Sequence, residues 1–381
     1  MNSFSLQSPD TRLKVLMVIP SFYPLVGGAE KQLEGLSESL LDFGIDPVVL
    51  ARKVNGARSK ERLKGFDVIR LPGIFYPIPF LLSLFMFCIM RRHSYRIIHV
   101  HTLNSPFWAC VLIGILLGKP VLVKITRSGI GSQLDFYQAR WYRRVILRFF
   151  MRHVQVIVAI TKDIQDTLMS LGIPDDRIVL IPNGVKARFN CDADSYPKLC
   201  GNVVTCIYVG RLIPRKGLEV LLQAWSDAGP PDNARLIIIG GGSDSDKLKK
   251  IARDLSIYDT VCFLGELSQE DVFNWMSKSD IFILPSESEG MSNALLEALS
   301  HGLPVIARDI EANFGLVDHG KNGFLFHGLQ DLRDYLKVMI SDKDVRGSFG
   351  KDSIRRVSEK FSFEKIAASY ASLYHKLLSS D

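Results

Sequence analysis

From Lys14 onward, short apolar runs alternate with segments whose apolar residues recur at helical spacing. Strands buried on both faces read as continuous apolar runs, and parallel strands need a crossover between them, so this alternation predicts βα units around parallel sheets. The first half supplies seven candidate strands, at 14–20, 47–51, 66–71, 97–101, 120–126, 154–161 and 178–182. From 183 to 201 the pattern lapses into NGVKARFNCDADSYPKLCG, polar and rich in turn residues, which marks a domain boundary. Beyond it lie candidate strands at 204–209, 235–239, 261–264, 281–284 and 304–307. Helices are expected at 218–228, 246–255, 269–277 and 292–301. A last helix over 362–378 is expected to pack back across the boundary, giving domains at 12–185 and 186–361 with 362–381 returning to the first. The fold class is α/β, with two Rossmann-like domains.

With 381 residues, 47% of them apolar and 23% charged, the chain has ample core and is not a disordered sequence. Its six cysteines (Cys88, Cys110, Cys191, Cys200, Cys206, Cys262) form no C-x-x-C pair, which argues against a zinc site or disulfide framework and for reduced core thiols in a cytoplasmic protein. Residues 1–11 carry no basic stretch followed by an apolar one, so they are expected to be a loose tail rather than a secretory signal. The net charge of +7 favours an anionic partner.

Two apolar segments, 74–90 and 107–117, fall short of the roughly 20 residues a spanning helix needs. A third, 134–153, places Arg140, Arg144, Arg148 and Arg152 at i+4 spacing, with Trp141, Val145, Ile146, Phe149 and Phe150 as an apolar face. Two readings stay open: helices packed on the sheet with a solvated outer face, or an anionic membrane surface engaged through 74–92 and 140–153.

The chemistry concentrates in IFILPSESEGMSNALLEALSHGLPVIA, residues 281–307. Glu289 stands in the turn before a helix and Glu297 eight residues on, about 12 Å away along the helix. The N–H groups of Gly290, Met291, Ser292 and Asn293 point out of the helix start, so an anion can sit between two hydroxyl-binding acids. GRLIPRKGL adds Arg211 and Lys216 between Gly210 and Gly217, two cations at a tight strand-to-helix turn that suit a diphosphate. The glycines at 240–242, including Gly241, permit close backbone approach but follow the wrong strand for a dinucleotide fingerprint. FLGEL brings Leu264 to the same end of the sheet. In the first half, Gly27 and Gly28 open a helix running to about Phe43. No Asp or His pattern suits a divalent metal, so none is expected.

Taken in order, GRLIPRKGL, GGG, FLGEL and PSESEGMSNALLEALSHGLPVI resemble the nucleotide-sugar domain of the family 4 retaining glycosyltransferases, which have the two-domain GT-B fold with a cleft between the domains. GGAE (27–30) and IPNGV (181–185) match the same family, so the resemblance covers about 14–380. It implies that Arg211 and Lys216 neutralise the donor diphosphate, that Glu289 contacts the transferred sugar, and that Glu297 holds the ribose hydroxyls. Gly27, Gly28, Gly210, Gly241, Leu264, Gly290, Met291, Ser292 and Asn293 would complete the donor site, and the first domain would bind the acceptor. Where many relatives place a His after the fifth strand, KITRSGIGS offers Lys124, Arg127 and Ser128; His101 is another candidate on the acceptor side. Lys186 and Gly315 also stand where acidic residues are frequent.

The expected activity is metal-independent, retaining transfer of a hexose-type sugar from a UDP- or GDP-sugar to a saccharide or lipid-linked acceptor, in cell-surface polysaccharide or glycolipid synthesis. The expected partners are that donor, that acceptor and the inner face of the cytoplasmic membrane, with no cofactor and no nucleic acid. A sugar-nucleotide epimerase and an inactive nucleotide-sugar-binding protein are the alternatives.

Overall fold

A computed structural model describes residues 12–25, 27–73, 77–127, 132–186 and 203–379. The chain divides into two compact units, one of residues 1–184 with 363–381 and one of 185–362.

In the first unit the strands are β1 (Leu13–Val18), β2 (Ile45–Arg52), β3 (Lys60–Leu63), β4 (Phe66–Leu71), β5 (Ile97–Val100), β6 (Val121–Ile125), β7 (Val156–Ala159) and β8 (Ile178–Leu180). The sheet order is β3-β4-β2-β1-β5-β6-β7-β8, parallel throughout except for β3, which runs antiparallel to β4. Its helices are α1 (Gly28–Leu40), α2 (Ile78–Met90), α3 (Ser105–Leu117), α4 (Gln133–Gln138), α5 (Trp141–Met151) and α6 (Lys162–Ser170).

The second unit has strands β9 (Val204–Val209), β10 (Ala234–Ile239), β11 (Val261–Gly265), β12 (Ile281–Leu284), β13 (Val305–Arg308) and β14 (Gly323–Phe326). They lie in the all-parallel order β11-β10-β9-β12-β13-β14. The helices are α7 (Leu218–Ala228), α8 (Ser245–Asp254), α9 (Gln269–Ser277), α10 (Asn293–Ser300), α11 (Glu311–Phe314), α12 (Leu329–Ser341) and α13 (Lys343–Lys360). Both sheets grow outward in two directions from their first strand, so the order reverses beside β1 and beside β9. In open α/β sheets a ligand binds where the order reverses, beyond the carboxyl ends of the strands. The loops after β1 and β5, and those after β9 and β12, are therefore the places to look.

After α13 the chain re-enters the first unit as α14 (Phe363–Ser379). Ile366, Ala367, Tyr370, Ala371 and Tyr374 recur at helical spacing and join the core that β1, β2 and α1 build. The Phe363 ring occupies the space beside Gly35 of α1 and beside Gly184, where any side chain would meet it. Deeper in, the Tyr374 hydroxyl meets His99 Nδ1 at 2.7 Å.

Three sequence expectations need correction. β3 and β14 lie at sheet edges, where the lower burial requirement leaves no apolar run to read, and neither was anticipated. Helices α12 and α13 fill 329–360, which had been left without an assignment. Cys262 is exposed rather than in the core, because it alternates outward on an edge strand; Cys88, Cys110 and Cys206 are buried and free, and Cys191 and Cys200 fall outside the described residues. Of the two readings left open for the apolar face of α5, packing on the sheet is not the one observed: Leu147 and Met151 are buried, while Trp141, Val145, Ile146 and Phe149 are exposed.

Candidate functional site

In the second unit, β9 ends at Val209, and after Gly210 the chain makes a short turn, Ile213 to Gly217, before α7. Gly217 adopts φ +66° at the start of α7, and a Cβ there would run into the carbonyl oxygen of Pro285. Only glycine satisfies both conditions, and it lets the turn after β9 lie directly against the turn after β12. Arg215 fixes the contact twice: its carbonyl accepts from the Glu287 N–H at 2.9 Å, and its guanidinium donates to the Ser288 carbonyl at 3.0 Å.

Within this clamp the Lys216 ammonium donates to Glu289 Oε1. The two side chains retain only 12% and 10% exposure. Burial holds the Lys216 ammonium below its ordinary range; the Glu289 carboxylate opposes that shift, and Arg215 and Arg211 add to it. Lys216 thus contacts one carboxylate and lies within electrostatic reach of two further cations, Arg215 and Arg211, at the point where the strand order reverses. Arg211 is exposed and its carbonyl accepts from the Tyr208 hydroxyl at 3.1 Å.

The loop after β10 closes on the same edge. Gly240, at φ +137°, lies so near the Gly210 carbonyl that no side chain fits between them. The Leu212 N–H donates to the Gly241 carbonyl at 2.8 Å, and Gly241 faces the Glu266 carboxyl after β11. Leu264, half-buried on β11, stands beside this loop.

α10 begins at Asn293, capped by Ser292, whose hydroxyl accepts from the Leu295 N–H at 3.3 Å. Gly290 and Met291 lead into the cap. Glu297 is part-buried one turn further, accepting from Gln269 Nε2 of α9 at 3.3 Å, while its carbonyl accepts from His301 Nδ1 at 2.7 Å. The structure therefore brings Lys216 and Glu289 together and sets Glu297 apart, on the side of α9. Arg215, Glu266 and Gln269 are site residues that sequence reasoning passed over. Arg215 lay inside GRLIPRKGL, but nothing in the sequence shows that it would reach a carbonyl 73 residues away.

In the first unit, Gly27 caps α1 and Gly28 opens it, both exposed at the loop after β1. Next to them Glu30 accepts from the Ser21 hydroxyl at 2.6 Å. A cavity of about 220 Å³ lies past β5 and β6, lined by Thr102, Leu103, Ile125, Thr126, Arg127, Ser132 and Leu134. His101 is not part of that lining: it is buried, its ring lies 4.0 Å from that of His99, and Nε2 is 3.4 Å from Met17 Sδ. Lys124, next to it on β6, is fully buried with its pKa pushed down to about 7 by desolvation, and burial likewise lowers both histidines. Ser128 lies outside the described residues. Among the described residues, no group of three or more His, Cys, Asp or Glu could hold a metal ion.

The model of Glycosyl transferases group 1 matches residues 201–356, and that of Glycosyltransferase Family 4 matches residues 26–189. The chain is 24% identical over 384 residues to the GDP-mannose-dependent alpha-(1-6)-phosphatidylinositol monomannoside mannosyltransferase of Mycobacterium tuberculosis, covering 94% of this chain and 97% of that one. It is 23% identical over 300 residues to the N-acetyl-alpha-D-glucosaminyl L-malate synthase of Bacillus anthracis, covering 77% and 78%. Among solved structures, sucrose-phosphate synthase from Thermosynechococcus elongatus superposes with TM-score 0.77 at 19% identity, covering 97% of this chain and all of that one. Anabaena HepE, solved with UDP and glucose, superposes with TM-score 0.74 at 19% identity, covering 96% and 100%. With two parallel-sheet α/β domains and both family models matched in order along it, the chain belongs to the GT-B glycosyltransferases of family 4 and group 1.

Proposed function

We propose that the chain transfers a hexose-type sugar, with retention and without a metal, from a UDP- or GDP-sugar to a saccharide or lipid-linked acceptor in cell-surface glycan or glycolipid synthesis. The observation that carries this reading is the Lys216–Glu289 pair, held at the reversal of the second sheet by the Arg215 clamp. Leaving-group charge on a departing nucleoside diphosphate needs fixed cations in a water-poor site, and Lys216 with Arg211 supplies them. In this reading Glu289, beside Lys216, contacts the transferred sugar, and Glu297, on the side of α9, holds the ribose hydroxyls. Gly27, Gly28, Gly241 and the N–H groups of Gly290 to Asn293 permit close backbone approach to phosphate and sugar. The acceptor hydroxyl then attacks from the face the nucleotide leaves.

The same reading places the chain at an anionic membrane surface. No helix among the described residues is long and apolar enough to cross a bilayer. On α2, however, Phe80, Leu84 and Cys88 face the core, while Ile78, Leu82, Met86 and Met90 form a second stripe at i+4 spacing with 67%, 62%, 56% and 74% exposure. Leu112, Ile115 and Leu116 of the neighbouring α3 extend this apolar surface, and the exposed Arg91, Arg92 and His93 follow α2. An apolar face bordered by cations is what an interfacial helix presents to anionic lipid.

Radiolabelled UDP- and GDP-sugars, incubated with and without membrane lipid extract, test the reading. Labelled lipid or glycan is the expected product. Conversion of the nucleotide sugar without acceptor would instead indicate an epimerase, and binding without conversion an inactive site. Glu297→Ala should raise the donor KM on the order of tenfold through the lost ribose hydrogen bonds.

A further inference from the structure

The turn after β1 is fastened from the sheet side by one side chain. Past Val18 the chain stays beside β2, where the Ile19 N–H donates to the Leu50 carbonyl at 3.0 Å and the Pro20 carbonyl accepts from the Arg52 N–H at 3.3 Å. Phe22 then buries its ring in the core of the unit. At Tyr23 the carbonyl accepts two bonds from Arg70 of β4, from Nε at 3.1 Å and from Nη2 at 2.7 Å. The same guanidinium donates from Nη1 to the Arg58 carbonyl at 2.9 Å and from Nη2 to the Glu61 carboxylate of β3. Arg70 is only 3% exposed.

On its other side the turn is tied to α1. The Tyr23 hydroxyl donates to Glu34 Oε2 at 2.7 Å; burial first, and then Glu34, push that hydroxyl above its ordinary range, so it stays a donor. The Ser21 hydroxyl donates to Glu30 Oε1 at 2.6 Å, and the other oxygen of that carboxylate fills the space a Gly27 side chain would take. Contacts therefore run from Arg70 through the turn to the start of α1. A buried guanidinium is expensive to desolvate, and an apolar residue of similar volume would pack β4 at least as well. What an apolar residue cannot do is hold a carbonyl 47 residues away at a fixed place.

We propose that Arg70 is a positioning residue for sugar transfer: by gripping the Tyr23 carbonyl it sets the turn after β1, and with it Gly27 and Gly28, where their backbone can approach the donor diphosphate. The inference rests on the donor reading of Gly27 and Gly28 given above, but the grip itself can be measured with no ligand present. It also gives the edge strand β3 a role. That strand carries Glu61, and the turn before it supplies the Arg58 carbonyl, so the two together aim the guanidinium at Tyr23. A fixed approach matters because a backbone contact to phosphate gains affinity only when the loop making it is already ordered.

The test uses the full chain with Arg70→Gln, Arg70→Lys and Tyr23→Phe, and with Lys60→Gln, an exposed change on β3, as the control that should match the wild type. Amide hydrogen exchange without ligand reads the grip. Protection over 19–25 should fall on the order of tenfold in Arg70→Gln and less in Arg70→Lys, which keeps one donor for the carbonyl, with β5 to β7 unchanged. Affinity for UDP and GDP, set against uridine and guanosine, reads the consequence. Arg70→Gln should weaken both diphosphates on the order of tenfold and leave the nucleosides within about twofold, because only the phosphates are expected to meet the turn. The losses in Arg70→Lys and Tyr23→Phe should be less than additive in the double variant, since both act through one turn. If Arg70→Gln does not fold, these two variants carry the same comparison. Protection lost evenly across the sheet, or nucleosides weakened as much as diphosphates, would make Arg70 a general stabilising residue and overturn the proposal. A wild type that binds no nucleoside diphosphate removes the donor reading and this proposal with it, whereas diphosphate binding indifferent to Arg70 removes this proposal alone.

Discussion

Neutralising Lys216 and neutralising Glu289 should have unequal structural costs, and the asymmetry follows from the burial of the pair and the cations near it. At an effective dielectric of about 20, opposite charges at hydrogen-bonding range attract by about 4 kcal/mol. Desolvation nevertheless outweighs that attraction for Lys216, whose pKa is lowered even with Glu289 in contact. The ionised ammonium is therefore worse off in the folded chain than in water, so Lys216→Met removes that penalty, but it also strips the equally buried Glu289 carboxylate of its partner, and the net cost should be smaller than that of Glu289→Gln. Glu289→Gln removes the one favourable contribution and strands a desolvated cation within reach of Arg211 and Arg215, a loss of about 2 kcal/mol once partial deprotonation caps it. For the unit formed by Val185–Ser362 that is a drop of about 4–8 °C in melting temperature. The double variant should recover most of it. Because Lys216 titrates lower folded than unfolded, the unfolded chain binds more protons between those two pKa values, so wild-type stability rises with pH through that window. The rise should steepen in Glu289→Gln and vanish in Lys216→Met. Turnover should behave differently: on the proposed role of Lys216 beside the leaving group, Lys216→Met loses on the order of 10²–10³ in kcat. Calorimetry of the nucleotide-sensitive transition, with donor turnover on the same preparations, checks both. A Lys216→Met variant less stable than Glu289→Gln, or one turning over like the wild type, would refute the reasoning.

Two further outcomes follow from the first unit. Lys124 is buried beside His99 and His101 with a pKa of about 7, so its charge is carried at a cost below pH 7, and that cost fades as pH rises toward 10.5. Lys124→Met should therefore stabilise by about 3 kcal/mol at pH 6 and by little at pH 10; urea midpoints that gain equally at both would count against it. Ile78→Asp with Leu82→Asp should abolish sedimentation with vesicles rich in phosphatidylglycerol while leaving the melting temperature within about 2 °C, because both side chains lie in solvent; unchanged sedimentation would exclude α2 as the contact.

The central strands were legible because burial on both faces forces an unbroken apolar run, as in IFIL of β12 and VLVKI of β6. KERL of β3 and GFLF of β14 are edge strands, for which half-polar sequences suffice. Over 343–360 the sequence KDVRGSFGKDSIRRVSEK has two glycines and many charges, so periodicity is weak there; α13 forms around the few buried positions Phe349, Ser353 and Val357, and the Ser353 hydroxyl donates to the Leu303 carbonyl at 2.9 Å. At the site, motif spacing gave the identities of Lys216 and Glu289 but not their pairing, which needs the turn of Gly217 to lie on Pro285.

The side on which α5 docks was left open by its sequence for a different reason, and it bears on how the first unit meets its surroundings. Its segment offers two apolar stripes, one through Trp141, Val145 and Phe149 and one through Leu147 and Met151; periodicity ranks the larger first. The structure packs the smaller stripe inward and turns Arg148 back to the end of α6, where Nε donates to the Leu171 carbonyl at 2.5 Å. A helix that docks by its minor apolar stripe leaves its aromatic one in water, which costs about 25 cal/mol for every Å² of apolar area left uncovered. α2 makes the same choice, with Phe80, Leu84 and Cys88 inside and a longer stripe outside. One such helix is an ordinary surface irregularity. Two in one unit, both bordered by arginines, are the observation behind the proposed contact with an anionic membrane surface.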